Sequence, residues 1–326
     1  MKAIVYKKYG PPEVLTIAEV KTPTPKDNEV RIKVHAAEAT KADCEMRSFH
    51  FAVKWFWLPL RLATGLFAPR NPILGGYLAG EIEALGANVK NHKIGERVFA
   101  CAKMGFGAYG EYVCLPANGT IVPLPHNLTF EQAAAVPLGG LNALHFLRKA
   151  KLQAGESILI NGAGGSIGNF AVQIAKSWGA QVTAVDSAHK EAIVKRIGAD
   201  HFIDYEQQDF SKGDTQYDVI FDMVPSSDYS ACLAKLKTNG RYVIGNPKFL
   251  KMLRAPITSK FSDKRVLFAF AGETIEELQA LKEMIEAEKI TPTVDNVYTM
   301  SEAIAAHYRV ETEQRVGSVV ISISEQ

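Results

Sequence analysis

Four of seven consecutive residues are glycine in Gly162-Ala163-Gly164-Gly165-Ser166-Ile167-Gly168. Such a run lets the backbone turn tightly, approach a pyrophosphate closely, and pack a helix on a strand. A helix opening at the end of the loop aims its N–H groups and the positive end of its dipole at the same anion. In the strict GxGxxG frame the motif reads Ala163-x-Gly165-x-x-Gly168, with alanine in the first place. A strand pattern at Ser157 to Asn161 runs into it, a helix pattern leaves it, and Asp186 follows eighteen residues past Gly168. That is the context a dinucleotide site requires. Gly162, Ala163, Gly165, Ser166, Ile167, Gly168 and Asp186 are therefore predicted to hold a dinucleotide. The competing reading is a purely structural glycine turn.

Other chemistries lack their residues. The eight histidines show no HExxH spacing and no nucleophile set, and they read as ordinary. Cys44, Cys101, Cys114 and Cys232 form no CxxC pair, and their spacing suits neither a zinc knuckle nor a disulfide scaffold. Inert thiols in a reducing compartment are expected. The N-terminal MKAIVYKKYG has no signal-peptide core, and no apolar run approaches a bilayer span, so a cytoplasmic chain without membrane insertion is expected.

The elements that must position the loop follow from periodicity. The first 120 or so residues read as short strands, Ala3 to Tyr6, Val30 to Val34, Gly80 to Leu85 and Arg97 to Ala100, separated by PP, PTP, DN and GG turns. An antiparallel barrel or sandwich fits them. From about Thr129, apolar strands alternate with helical patterns. The strands are Ser157 to Asn161, Gln181 to Asp186, His201 to Ile203, Tyr217 to Asp222, Arg241 to Gly245 and Arg265 to Phe270. Ile167, Ala171, Ile174, Ala175 and Trp178 share one helix face between the first two. Six such strands make a complete doubly wound parallel sheet. A helix bearing Ile275, Leu278, Leu281 and Ile285, a short helix at Ala303 to Tyr308 and a last strand at Gly317 to Ile323 close the chain. We expect that ending to rejoin the first region.

At 326 residues the chain suits two domains. Lys+Arg of 37 against Asp+Glu of 35 leaves a net charge of +2, so nucleic-acid binding is not expected. Phe49 to Arg70 packs six aromatics into 22 residues, including Trp55, Phe56 and Trp57. It reads as a packed insertion or subunit contact, as a wall or lid of an apolar substrate pocket, or as a membrane-surface helix.

KYGPPEVL, ILGGYLAGEIEALGANVKNHKIGERVFA, LTFEQAAAVPLGGLNALHFL, the glycine loop, IGADHFIDY and GSVVISI span nearly the whole chain. Through them the sequence resembles the medium-chain dehydrogenase/reductase superfamily, in its zinc-independent, quinone oxidoreductase-like branch. The resemblance implies an α/β fold, with a GroES-like β-barrel domain from residues 1–122 and 271–326 and a Rossmann doubly wound sheet domain at 123–270. It also implies a homodimer, formed by edge pairing near Arg265 to Phe270.

Zinc-dependent relatives carry their catalytic ligands at positions that fall here on Thr40, Gly76 and Leu138, none of them a normal zinc ligand. Zinc is expected to be absent. The resemblance places Thr40, Asn142, Gly245 and Asn246 near a nicotinamide and Lys190 and Tyr205 at a 2′-phosphate, and Ser187 and Phe270 are also expected to bind the cofactor. Asp186 favours NAD(H) by holding a ribose 2′-hydroxyl, whereas Lys190 and Tyr205 suit a 2′-phosphate. The expectation is NADP(H), slightly ahead of NAD(H). Thr40 and Tyr77 are the candidate catalytic residues, and Asp43 and Arg47 are expected to form a structural ion pair.

The implied activity is NAD(P)H-dependent reduction of quinones or α,β-unsaturated carbonyls by hydride transfer, on a small apolar substrate. The alternatives are a zinc-free alcohol or aldehyde dehydrogenase and a cofactor-binding scaffold with vestigial activity.

Overall fold

The computed structural model describes residues 1–51, 57–268 and 272–324. Trp55, Phe56, Phe270 and the expected boundary at 270/271 lie outside the described residues. The chain opens with the antiparallel pair β1 (Lys2–Tyr6) and β2 (Leu15–Glu19), followed by β3 (Glu29–Ala39). Two short helices, α1 (Lys41–Ser48) and α2 (Trp57–Thr64), precede strands β4 (Tyr77–Leu85), β5 (Arg97–Cys101), β6 (Tyr112–Pro116) and β7 (Ile121–Pro123). Helices α3 (Phe130–Ala134) and α4 (Pro137–Ala150) then lead to β8 (Ser157–Asn161), α5 (Ser166–Ser177), β9 (Gln181–Asp186) and α6 (Glu191–Arg196). Strands β10 (His201–Asp204) and β11 (Tyr217–Asp222), helix α7 (Tyr229–Ala234), β12 (Leu236–Ile244), α8 (Phe249–Phe261) and β13 (Arg265–Phe268) complete the alternation. Helix α9 (Ile275–Glu286), β14 (Val294–Thr299), α10 (Ala303–Glu311) and β15 (Ser318–Ser322) follow.

Strands β8 to β13 form one parallel sheet in the order β10-β9-β8-β11-β12-β13. The order reverses between β8 and β11, which opens a crevice at the carboxyl ends of those strands. The other large sheet runs β14-β15-β3-β4-β5-β7, with β6 also on β3. The last strand therefore lies antiparallel on an early one, Val319 opposite Ala39 and Ile321 opposite Ala37. In β3 the side chains first alternate: Val30, Ile32 and Val34 are buried while Lys33 is exposed. From Ala36 to Ala39 every residue is buried, and Glu38 is the one ionisable side chain among them.

Small residues set the spacing behind the crevice. A Cβ on Gly139 of α4 would lie 2.6 Å from the carbonyl oxygen of Ser166, so α4 and α5 touch backbone to backbone there. Asn169 and Gln173 of α5 reach across to the segment before β14: Gln173 donates to the Thr291 carbonyl at 2.9 Å and Thr293 donates to Asn169 Oδ1 at 2.9 Å. Among the described residues no helix is long and apolar enough to cross a membrane.

The first region is mostly antiparallel strands, as expected, with a short helix α1 that Thr40 and Asp43 start through a reciprocal capping box. One expectation needs correction. Asp43 and Arg47 do not pair with each other. Asp43 accepts from Thr40 and from the Gly75 N–H (3.0 Å), whereas the Arg47 guanidinium binds Glu311, the Gly10 carbonyl at 3.1 Å and His307 Nδ1 at 3.1 Å. At i and i+4 the two side chains share a helix face, but each is already held elsewhere, Asp43 by the α1 cap and Gly75 and Arg47 by Glu311, His307 and Gly10. In the aromatic segment, Phe49 and Phe51 are buried and meet edge to face, and the Arg61 guanidinium lies 3.7 Å from the Tyr9 ring centroid. This supports a packed insertion, although Leu58, Leu62 and Phe67 remain exposed.

Candidate active site

The glycine loop follows β8 directly and turns on Gly162, whose φ of +88° lies in the left-handed region that favours glycine. The N–H groups of Gly162 and Ala163 both donate to the Val185 carbonyl, tying the loop to β9. Gly165 is the N-cap of α5 and supplies no side-chain cap, so the first-turn N–H groups of the helix are left for a ligand. A Cβ on Gly168 would sit 2.1 Å from the Gly162 carbonyl oxygen and 2.7 Å from Ala163 Cα, so only glycine lets the helix start this close to the loop. Gly162, Gly165 and Ile167 are half-exposed at the crevice while Ala163, Ser166 and Gly168 are buried behind them. An anion at this helix end meets oriented N–H dipoles.

At the end of β9, Asp186 is buried and turned toward the loop. Its Oδ2 accepts from the Gly164 N–H at 2.7 Å, and its Oδ1 accepts from the Ser187 N–H at 2.9 Å. Lys190 Nζ stands 3.0 Å from Oδ1, and both side chains are 7% exposed. The lysine is therefore not the solvated helix-start residue its position suggests. Its stem crosses Gly164 closely, since a Cβ there would meet Lys190 Cδ at 2.4 Å. Ser187 Oγ is 3.1 Å from His189 Nδ1. Tyr205 is exposed next to this group, its phenol pushed up by partial burial and by Glu206, Asp186 and Asp204.

The crevice floor is the carboxyl edge of the sheet. Gly245 follows β12 and donates its N–H to the Asp222 carbonyl at 2.9 Å. A Cβ on Gly245 would lie 2.2 Å from Met223 Sδ. Asn246 is exposed and donates to the Met223 carbonyl at 3.2 Å, and Asn142 on α4 donates to the Leu138 carbonyl at 2.8 Å. Sequence reading passed over Asp222, the buried anchor of this edge. Its carboxylate accepts from Asn161 (3.0 Å), Ser227 (2.9 Å), the Val224 N–H (3.0 Å) and the Tyr242 hydroxyl (2.7 Å). Those four donors satisfy a charge that would otherwise be costly to bury.

The barrel contributes two candidate hydroxyls, at the end of β3 and the head of β4. The Thr40 hydroxyl is committed to the α1 cap, donating to Asp43 Oδ2 at 2.6 Å. Half-buried Tyr77, at the head of β4, donates its hydroxyl to Glu273 Oε1 at 2.6 Å. Burial, reinforced by that carboxylate, drives the phenol far above its ordinary range, so it keeps its proton and acts as a hydrogen-bond donor. Glu273 was also unforeseen, because it comes from a segment some 200 residues further along the chain than Tyr77. A zinc ion would need nitrogen, sulfur or carboxylate ligands. Thr40, Gly76 and Leu138 supply a capped hydroxyl, no side chain and a hydrocarbon, and no group of three His, Cys, Asp or Glu able to hold a metal occurs among the described residues. These residues do not fit zinc.

Behind the loop, barrel and sheet are stitched together. Gly317 donates its N–H to the Gly164 carbonyl at 2.8 Å, and Ser166 Oγ lies 2.9 Å from both Glu38 Oε1 and Ser318 Oγ.

Comparison with known proteins places this geometry. The family described as "Alcohol dehydrogenase GroES-like domain" matches residues 26–126, and that described as "Zinc-binding dehydrogenase" matches residues 197–321. A quinone oxidoreductase of Sus scrofa is 33% identical over 94% of this chain and 93% of its own length. One of Pseudomonas aeruginosa is 31% identical over 98% and 99%. The structure of the quinone oxidoreductase from Coxiella burnetii matches with a TM-score of 0.88 at 30% identity, covering 99% of each chain. That of the Escherichia coli quinone oxidoreductase complexed with NADPH matches with a TM-score of 0.83 at 26% identity, over 99% of this chain and 100% of that one. A GroES-like domain and a Rossmann-like parallel sheet agree with these relatives. The chain belongs to the quinone oxidoreductase-like branch of the medium-chain dehydrogenase/reductase superfamily and is an NAD(P)-dependent oxidoreductase.

Proposed function

We propose that this chain reduces quinones or α,β-unsaturated carbonyls without zinc. The observation that carries the reading is the pairing of a glycine-loop dinucleotide site with a barrel wall that offers a neutral donor, Tyr77, in place of metal ligands. The bound nicotinamide nucleotide supplies a hydride. The first-turn N–H groups of α5 would hold its pyrophosphate, and Asn142, Gly245 and Asn246 would border its nicotinamide end. As hydride reaches the substrate, negative charge develops on a carbonyl or quinone oxygen. A positioned hydroxyl stabilises that charge in a water-poor slot. Tyr77 serves there as a donor by turning its single O–H from Glu273 Oε1 to that oxygen, and Thr40 keeps the adjoining turn rigid.

Tyr77→Phe is expected to lower kcat roughly tenfold, the order of one such donor or somewhat less, while the cofactor Kd stays within twofold. Stopped-flow turnover beside a fluorescence titration of NADPH reads both. An unchanged kcat removes Tyr77 from the mechanism.

We infer a preference for NADP(H) over NAD(H). Asp186 spends its carboxylate on Gly164, Ser187 and Lys190 rather than holding it free for a ribose diol, and the Lys190 cation, Ser187, His189 and the exposed Tyr205 gather beside it. Lys190→Ala is expected to reduce kcat/KM with NADPH about tenfold and with NADH less than twofold, as for one lost charge-assisted contact. Equal losses with both would return the site to Asp186 and a ribose diol.

The reaction class is tested on one panel: oxidation of NADPH and NADH by quinones and enones, against reduction of NADP+ and NAD+ by alcohols. Turnover with alcohols alone would establish the dehydrogenase alternative. Saturable binding without turnover would establish the scaffold. We further propose a cytoplasmic homodimer. Its four cysteines are free thiols, and β13 is a terminal strand of its sheet, open to a second copy. Light scattering at the chain's own mass would exclude the dimer.

A further inference from the structure

Glu38 has no part in the function proposed above, yet it lies directly behind the dinucleotide site. It is 1% exposed, on the fully buried end of β3. One carboxyl oxygen, Oε1, is 2.9 Å from Ser166 Oγ, and Ser166 is the first residue of α5. The other, Oε2, is buried with no hydrogen-bond partner among the described residues. A fully ionised carboxylate would leave that oxygen unsolvated, a cost that a neutral carboxyl largely avoids. Ser166 Oγ also meets Ser318 Oγ, and Gly317 binds Gly164, so the carboxyl is clamped against the helix end that receives the pyrophosphate.

We propose that the dinucleotide binds with Glu38 protonated behind the helix end, so that seating the pyrophosphate takes up a proton on this residue. A carboxylate one serine away from the phosphate would repel it through a medium with little water to screen the two. It would also require the Ser166 hydroxyl as a donor. A neutral carboxyl removes the repulsion. Burial is the main cause that pushes Glu38 up to about 8, against the opposing hydroxyls of Ser318 and Ser166 and the more distant Arg315.

The groups that face it do not share this behaviour. Arg315 is a fixed cation that binds the Val310 carbonyl and Glu313. Tyr77, Tyr109 and Cys101 are all pushed up by burial and stay neutral. Asp43, also pushed up by burial, has both oxygens occupied by donors from Thr40 and Gly75. Raising the pH through the Glu38 range should therefore weaken nucleotide binding, because the free site loses a proton that the bound site keeps.

The test is direct binding rather than turnover, and it rests on the assignment of the glycine loop to the cofactor. NADPH is titrated by fluorescence into the intact enzyme at about pH 7 and about pH 9.5, beside calorimetry at about pH 9 in buffers of different ionisation enthalpy. In the native protein the Kd is expected to rise about tenfold between the two pH values, with uptake of up to one proton. Glu38→Gln should bind at both pH values as tightly as the native protein does at the lower one, with no proton uptake. An affinity that does not change with pH in the native protein overturns the proposal whatever the variant does. So does a pH dependence that survives in Glu38→Gln, which would place the proton on Asp43. Absence of saturable NADPH binding at either pH would remove the cofactor assignment, and this proposal with it.

Discussion

Gly168→Val is expected to weaken NADPH binding by a hundredfold or more while leaving a folded protein. The new Cβ would fall 2.1 Å from the Gly162 carbonyl oxygen and within 2.7 and 2.9 Å of Ala163 Cα and C. All three are backbone atoms of the loop, so no side-chain rotation relieves the overlap. Relief comes only by moving the first turn of α5 away from β8, which misaims the N–H groups the pyrophosphate needs. The overpacking should also cost about 1–3 kcal/mol of stability, and this separates the variant from an unfolded one. Gly213→Ala is the control, since a Cβ there has nothing within 4 Å. NADPH fluorescence enhancement and thermal melting read the two effects. Near-native affinity in Gly168→Val would mean that this loop does not hold the dinucleotide.

Arg47→Ala should destabilise the fold by about 3–5 kcal/mol, the cost of the cavity left by a fully enclosed side chain together with the buried acceptors it strands. The side chain is 1% exposed and completely enclosed between α1, α10 and the turn at Gly10. Its loss strands the Gly10 carbonyl and His307 Nδ1, each now bonded at 3.1 Å, and leaves Glu311 without its cation. Chemical denaturation midpoints measure it, and a change below about 1 kcal/mol, the worth of an exposed pair, would contradict the network.

His307 gives the same cluster a pH signature. Burial, with Arg47 second, lowers its imidazole from 6.5 to about 3. A histidine depressed in the fold binds its proton more readily when unfolded. Stability is therefore undiminished by this group above about 6.5 and is lost progressively as the pH falls toward 3. His307→Gln should flatten that acid limb of the melting profile, and an unchanged limb would assign the loss to other groups.

The dinucleotide loop was legible because its signal is local. The strand, the glycine turn and the helix lie within about twenty residues, and each glycine's role is a steric condition on its own neighbours. The parallel strands were legible for the same reason, since β8, β9 and β11 are continuous apolar runs whose ends coincide with turn residues. Helix α8 was not. Phe249, Leu250, Leu253, Ile257 and Phe261 are exposed and Pro256 lies inside it, so neither burial pattern nor breaker points to a helix. The departures from zinc ligation at Thr40, Gly76 and Leu138 could be read only through resemblance, because ligands brought together from distant segments have no local spacing.

The sequence by itself determined the fold class and the nicotinamide cofactor, and it singled out the glycine loop now proposed to hold the pyrophosphate. Periodicity and glycine sterics act over one or two turns of chain, and the order of residues records them. Tertiary structure alone decided where the charges go. It turned Asp186 onto Gly164 and closed Lys190 over it, separated Arg47 from Asp43, paired Tyr77 with Glu273, and enclosed Glu38 and His307 away from water. The protonation and partner of an ionisable side chain depend on desolvation and on groups brought close through space. Those are properties of the packed chain and have no counterpart in residue spacing.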